Sequence, residues 1–462
     1  MKRAAPARRA AYAALRAVTS GRLNLPDALA RARSRLADER DAALAAQIAT
    51  GTLRSMGAID AVIEAFGRRP TSRLDAEVLD ILRLGTYQLV HLDRVPAPAV
   101  VDDAVELARE ARKSSAGGMV NAVLRRVARE RDRLPLPPRP DGADRDAALA
   151  YLATTCSHPR WLVERWLDRV GFDAAEAWAR FDNTAAPVTL RANTLRLTRA
   201  ELVARLADHG VSVEPTRFAR DGLVVTGGNA LATPLHDAGD FLVQDEASQL
   251  VGEAAGARPG ERVLDACAAP GGKTVAMAAA MGGRGLLVAG DVRRKRAALL
   301  RETLARCGAA SVRVARFDAG ALPFGPVFDR VLVDAPCSGL GTLRRDPEIR
   351  WRRAPEDLVT LARTERRLLE EAARVVRPGG RVVYATCSGE PEENEDLVAA
   401  FLAGHPEFEI ERPALAADAA GAGPPLVTAA GWLRTWPYRH GLEAFFAAVL
   451  RHRGSLVNPK AL

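Results

Sequence analysis

The sequence predicts a multidomain protein: an all-α N-terminal domain, a small α/β unit, and a C-terminal α/β domain built on a doubly wound parallel sheet. Three observations predict it. Apolar residues recur at three- and four-residue spacing from about Ala7 to Arg131, the pattern of amphipathic helices. From Phe241 to about Arg451, short β-branched runs alternate with helical stretches, as a sheet with crossover helices requires. Between these regions lies DRLPLPPRPDGADRDA, residues 132–147, whose prolines and charges cannot build a core.

The chain has 462 residues, is 48% hydrophobic and 27% charged, and is too long for one ordinary core. No run approaches the roughly 18 uninterrupted apolar residues of a membrane span. The start, MKRAAPARRA, continues into an amphipathic segment without the features of a signal peptide. A soluble cytoplasmic protein is expected, monomeric by default and with no obligate protein partner. Five cysteines, at 156, 267, 307, 337 and 387, are too few and too unevenly placed for a disulfide framework. None has zinc spacing, so no metal is expected. The net charge is +9, and residues 1–133 hold 24 Lys/Arg against 16 Asp/Glu, or +8 of it. A basic domain joined to a near-neutral remainder suggests a handle for nucleic acid.

Taken in order, helices are expected over Ala11–Val18, Ala42–Leu53, Ala61–Phe66, Val78–Leu89, Val100–Ala111 and Met119–Val127, separated by breakers such as GRRPTSR and RVPAP. These make domain 1–133, with 134–150 as linker. Residues 151–240 read as a small α/β unit, with a strand through Thr189–Asn193 and a helix after Thr198. Its Arg191, Asn193 and Arg196 are candidates to face nucleic acid. Residues 241–454 form the sheet domain. Its strands are RVLDA, GLLVAGD, SVRVARFD, FDRVLVDA, RVVYAT and AFFAAVL, and helices fit 273–281, 293–307 and 355–376.

The chemistry concentrates at strand ends. VLVDAPCSG (331–339) and its echo VVYATCSG (382–389) each end a buried strand in a cysteine–serine turn. Lying parallel, the two strands would bring Cys337 and Cys387 to the carboxyl edge where open α/β sheets bind ligands. VLDACAAPGGKT (263–274) is a strand, a glycine turn and a helix start, so backbone amides and a helix N-terminus can approach a ligand. A phosphate loop is excluded because Cys267 stands where its first glycine belongs. Asp265, Asp291 and Asp318 are expected to end consecutive strands, which fits a nucleoside without a phosphate tail, such as S-adenosylmethionine. Two thiols beside such a ligand suit methylation at C5 of cytosine. There a thiolate must add at C6 to make C5 nucleophilic, and Asp334 of DAPC is placed to assist at N3.

DACAAPGGKT, VLVDAPCSGLGTLRRDPEIRW, YATCSGEPEENE and QDEASQL resemble the RsmB/Sun type of bacterial RNA 5-methylcytosine methyltransferases, related to the NOP2/Sun group. ILRLGTYQLVHLDRVPAPAVVDDAVELAR and GGMVNAVLRRV resemble the NusB-like RNA-binding domain. The resemblance implies a Rossmann-like S-adenosylmethionine-dependent methyltransferase domain and 16S ribosomal RNA as substrate. It implies Cys387 as the nucleophile, Cys337 in product release, and cofactor contacts from Cys267, Ala268, Ala269, Pro270, Gly271, Gly272 and Lys273 with Asp291, Asp318 and Asp334. Glu443-Ala444 departs from the family's Asp-Gly, which puts the local turn in question. A transfer-RNA substrate and a non-catalytic RNA-binding or antitermination role are the alternatives, and the sequence leaves the modified nucleotide open.

Overall fold

The computed structural model describes residues 3–141, 144–419, 421 and 423–454. Residues 1–2 of the expected N-terminal domain and 142–143 of the expected linker lie outside the described residues. The chain packs as two compact units, one of residues 1–185 with 343–352, the other of 186–342 with 353–462.

The first unit is helical. Helices Pro6–Thr19, Leu25–Arg33, Glu39–Arg54, Met56–Gly67, Ala76–His91, Ala97–Glu110 and Gly117–Glu130 enclose a core that includes Leu15, Ile48, Ile81, Leu82, Leu124 and Val127. Two glycines allow the closest helix approaches, since a Cβ on Gly51 would lie 2.0 Å from the Tyr87 ring and one on Gly85 2.6 Å from Leu124. Helices Arg145–Ala150 and Arg160–Asp182 belong to the same unit. So does the segment 343–352, which lies inside the expected 241–454 span. Its Arg350 is fully buried and donates to the carbonyls of Ser157 (3.0 Å) and Asp182 (3.2 Å) and to Asn183 Oδ1 (2.9 Å). Trp351 Nε1 donates to Leu53 O at 2.7 Å, and Glu348 accepts from Leu25 N at 2.9 Å. A guanidinium buried among carbonyls at a helix end satisfies acceptors that the helix leaves open.

The second unit contains two sheets. Strands β1 (Thr189–Ala192), β2 (Ser212–Pro215), β3 (Gly222–Gly227) and β4 (Phe241–Val243) form an antiparallel sheet in the order β2-β3-β1-β4. Its helix Arg199–Asp208 starts with a capping box between Thr198 and Glu201. The larger sheet uses β5 (Arg262–Asp265), β6 (Leu286–Gly290), β7 (Arg313–Ala315), β8 (Phe328–Asp334), β9 (Val376–Thr386), β10 (Phe408–Glu411), β11 (Leu433–Arg434) and β12 (Phe446–His452). Its order is β10-β12-β9-β8-β5-β6-β7, with β11 beside β12. Parallel pairing holds from β9 to β7, as βαβ crossovers dictate. β12 runs antiparallel to β9, β10 and β11, so the sheet is mixed where a parallel one was expected. The link from β11 to β12, residues 435–445, returns the chain beside itself, and antiparallel neighbours need no crossover helix.

Among the described residues, no helix is long and apolar enough to cross a membrane.

Candidate active site

The site is built on the carboxyl edge of β5, β8 and β9. After Asp265 ends β5, the chain turns at Gly271, whose φ of +112° only glycine adopts readily, and enters helix Gly272–Met281. The loop is held from both sides. Ala266 N donates to Leu332 O and Ala268 N to Gly290 O, each at 2.9 Å, while Arg296 Nη2 donates to Ala269 O at 2.6 Å. Arg191 Nη1 donates to the carbonyl of Gly272 at 2.6 Å. Of the expected loop contacts, Cys267 is half-buried, Ala268 and Ala269 are buried and Pro270 is exposed. Burial pushes the Cys267 thiol well up, so it is a neutral wall of the site.

The expected carboxylates separate into distinct environments. Asp265 is buried and accepts from Thr274 Oγ1 at 2.6 Å, and its Oδ1 has no partner among the described residues. Burial raises it to about 7 against that hydrogen bond. An unmet buried polar atom beside a helix N-terminus fits a ligand that brings its own amine or hydroxyl. Asp291, just after β6, accepts from Arg293 N (3.0 Å) and Arg296 Nε (2.8 Å). Asp318 departs from expectation. β7 ends at Ala315, and Asp318 is exposed beyond it, accepting from Gly320 N at 2.8 Å and pairing with Arg367 at 3.3 Å. Asp334 ends β8, and its Oδ2 receives Lys273 Nζ at 2.8 Å.

The two thiols meet. β8 and β9 are parallel neighbours in a register that opposes Asp334 to Ala385, so the turns beyond them leave the sheet side by side. Cys337 Sγ and Cys387 Sγ are 3.3 Å apart and both residues are half-buried. The Cys337 thiol is pushed well above its ordinary value by its hydrogen bond to Cys387 and by burial. Cys156 and Cys307, whose thiols burial also raises, are buried apart from this pair, as small core residues.

Sequence reasoning missed the groups beneath the thiols. Ser338 and Ser388, each following its cysteine, are fully buried, and both hydroxyls donate to Glu393 Oε2. The repeated Cys-Ser and the ENE stretch after Cys387 were the available signal. Arg191 and Asn193 were expected to face nucleic acid but are buried. Asn193 Nδ2 donates to the carbonyls of Gly239 (2.7 Å) and Cys307 (2.8 Å), and Arg196 Nη2 to Arg306 O (2.9 Å). These side chains fasten the small sheet to the large one by capping its loop carbonyls. Glu443-Ala444 forms no turn and lies in the lead-in to β12, so the missing glycine is not required there. Ala444 is absent from the positive-φ residues, and Ala444 N donates to Gly341 O at 3.0 Å.

An α/β sheet with a glycine turn after its first parallel strand and paired thiols at its centre defines a transferase-type domain, here in a chain with a helical basic domain before it. Residues 255–451 match the 16S rRNA methyltransferase RsmB/F family, residues 5–129 the NusB family, and residues 158–232 the ferredoxin-like domain of RsmF/B-like methyltransferases. A probable ribosomal RNA small subunit methyltransferase B of Bacillus subtilis is 34% identical over 419 residues, covering 90% of this chain and 92% of that protein. The ribosomal RNA small subunit methyltransferase B of Pseudomonas putida is 36% identical over 402 residues, covering 86% and 89%. The crystal structure of PH0851 superposes with a TM-score of 0.79 at 28% identity over 96% of this chain and 98% of that one. The chain belongs to the RsmB/F methyltransferase family, whose methyl donor is S-adenosylmethionine.

Proposed function

We propose that the protein methylates C5 of cytosine in 16S ribosomal RNA, in the cytoplasm, through a covalent adduct between Cys387 and C6 of the base. The observation that carries this is the pair of thiols 3.3 Å apart, at the ends of adjacent strands, beside the cofactor loop. C5 of cytosine is a poor nucleophile. Addition of the Cys387 thiolate at C6 moves the ring's electrons so that C5 can attack the methyl group. S-adenosylmethionine supplies that methyl group when bound against residues 267–273, with Asp291 and Asp318 toward its nucleoside. Asp334 faces N3, where charge develops on addition, and the ammonium of Lys273, 2.8 Å from it, supplies the proton that the pair shares with the base. A base then takes the C5 proton, the C6–S bond breaks, and Cys337 assists departure of the Cys387 thiolate.

The target cytosine must be unpaired or flipped out, because C5 and C6 are approached by protein groups. Residues 1–133 serve as an electrostatic handle for the RNA and 134–150 link; of 151–240, the part from 186 supports the catalytic sheet while 151–185 pack in the helical unit, and 241–454, apart from 343–352, carry the chemistry. A cavity of about 670 Å³ in the helical domain supports the handle, with alanines on its floor and Arg9, Arg22, Arg31 and Arg35 among its lining residues.

The test is a pair of substitutions. With RNA and cofactor, Cys337→Ala is expected to accumulate a denaturant-stable protein–RNA adduct, and Cys387→Ala to form none. An adduct in Cys387→Ala but none in Cys337→Ala would exchange the two roles. An adduct in neither, with folded protein and bound RNA, would remove the covalent step.

A further inference from the structure

The two cysteines come from turns 50 residues apart in sequence, yet their sulfurs are in contact. Backbone pairing accounts for only part of this. The ladder between β8 and β9 ends at Asp334 and Ala385, followed by the bonds of Ala335 N to Ala385 O at 2.8 Å and Gly341 N to Cys387 O at 2.9 Å. Beyond the ladder, each turn is free to splay unless something spans the gap.

Glu393 spans it. Its Oε1 accepts from Ser338 N at 2.6 Å, and its Oε2 accepts from Ser338 Oγ at 2.6 Å and also from Ser388 Oγ. The two hydroxyls are 3.2 Å apart, and each receives a backbone amide of its own turn, Leu340 N at 3.3 Å and Glu390 N at 3.1 Å. Glu393 is in turn fixed by its backbone, whose carbonyl accepts from Tyr384 Oη at 2.6 Å, and by its neighbour Asn394, which donates to the carbonyls of Ser388 (3.0 Å) and Glu390 (2.8 Å). Every member from Ser338 to Asn394 in this network is fully buried, and a satisfied buried network holds its parts in one arrangement. Glu365 lies against it and is pushed up to about 10 by burial and by its closeness to Glu393, so the Glu365 carboxyl is neutral.

We infer that Glu393 is a positioning residue that locks the two cysteine–serine turns together and thereby fixes the separation of Cys337 from Cys387. It touches neither thiol in any hydrogen bond and acts through the serines. The inference rests on the two-thiol reading above for its consequence in turnover, but its geometric content is independent of that reading. Glutamine cannot replace the carboxylate. An amide nitrogen at the Oε2 position leaves both hydroxyl protons without their acceptor, and the flipped amide confronts Ser338 N–H with another donor.

The experiment uses the full-length protein as wild type, Glu393→Gln, the double variant Ser338→Ala/Ser388→Ala, and the triple combination. The first measurement is the rate at which a diazenedicarboxamide oxidant converts Cys337 and Cys387 to a disulfide, two thiols giving one disulfide and the reduced hydrazine. It reports thiol proximity without any RNA chemistry. Glu393→Gln is expected to slow it by roughly tenfold or more, as misplacement of reacting atoms by an ångström does, and the triple variant to be no slower than either parent. The second is turnover with RNA. Here kcat should fall with KM for RNA and cofactor unchanged, and the adduct should accumulate as it does in Cys337→Ala. Unchanged disulfide formation in folded Glu393→Gln, or additive losses in the triple variant, would overturn the inference. Slowed disulfide formation with no adduct in any variant, Cys337→Ala included, would leave the clamp standing and remove the two-thiol mechanism instead. Should Glu393→Gln fail to fold, the double serine variant, which retains the carboxylate, carries both measurements.

Discussion

Asp182 ends the second of the two helical stretches that meet at the break at Gly171 within Arg160–Asp182, and is buried with Arg350, Arg344 and Arg54 around it. Burial outweighs these cations and raises it to about 8. Its neighbour His158 is consistent with a neutral carboxyl. His158 Nδ1 donates to Cys156 O at 2.7 Å, which leaves Nε2 as an acceptor facing Asp182 Oδ2 at 3.5 Å, and burial holds the imidazole neutral. The folded chain therefore binds this proton more tightly than the unfolded chain. The stability it gives is complete below about pH 4, falls as pH rises through the interval to about 8, and is level above. Asp182→Asn is neutral at every pH, so its melting temperature relative to wild type should climb between pH 5 and pH 8. Thermal melts across that range check this, and a pH-independent difference would mean that the carboxylate is already charged in the fold. At this scale, the residues at and just beyond the strand ends, Asp334, Cys337 and Cys387, were legible in the sequence, because strand ends are marked by a change from β-branched to turn residues. Ser338, Ser388, Glu393 and Asp182 were not legible as buried, since a polar residue reads alike whether it meets water or another polar group inside.

Two helices of the basic domain touch through a glycine. A methyl on Gly51 would overlap the Tyr87 ring at 2.0 Å, so Gly51→Ala should cost about 1–3 kcal/mol by overpacking. Denaturant titration gives the value, and the smaller residue in Gly51→Ala/Tyr87→Leu should recover part of it. Elsewhere the cap at Thr198 is local, and Thr198→Ala should cost about 1 kcal/mol with no change in adduct formation. Elements of strong period were legible to within a residue or two. The helix expected over 293–307, found at Arg294–Arg306, and the strand ending at Asp334 are examples. The antiparallel course of β12 was not, because a strand's apolar pattern carries no direction. β9 also begins at Val376, directly after its helix, and includes the PGG turn that reads as a terminator. The segment 343–352 looks continuous with the catalytic domain in sequence, yet packs in the helical unit. What places it there is Arg350 meeting carbonyls from residues 157 and 182, an encounter that no local pattern announces.

For the molecule as a whole, the surplus of +8 in residues 1–133 against a total of +9 is the feature that composition reveals and the fold preserves, since Arg31 and Arg35 are exposed at the alanine-floored cavity. Arg31→Glu/Arg35→Glu should weaken RNA binding and flatten its dependence on salt, by close to one unit of log–log slope for each phosphate that is no longer neutralised. Equilibrium binding at several salt concentrations reads this directly, and an unchanged slope would move the RNA-binding face to another surface. The central claim, that the paired thiols serve methylation of cytosine at C5, is tested most directly by the identity of the product. Unmodified 16S RNA is incubated with the protein and methyl-labelled S-adenosylmethionine, digested to nucleosides and separated by mass. The label is expected in 5-methylcytidine alone. Label in any other nucleoside would contradict the claim.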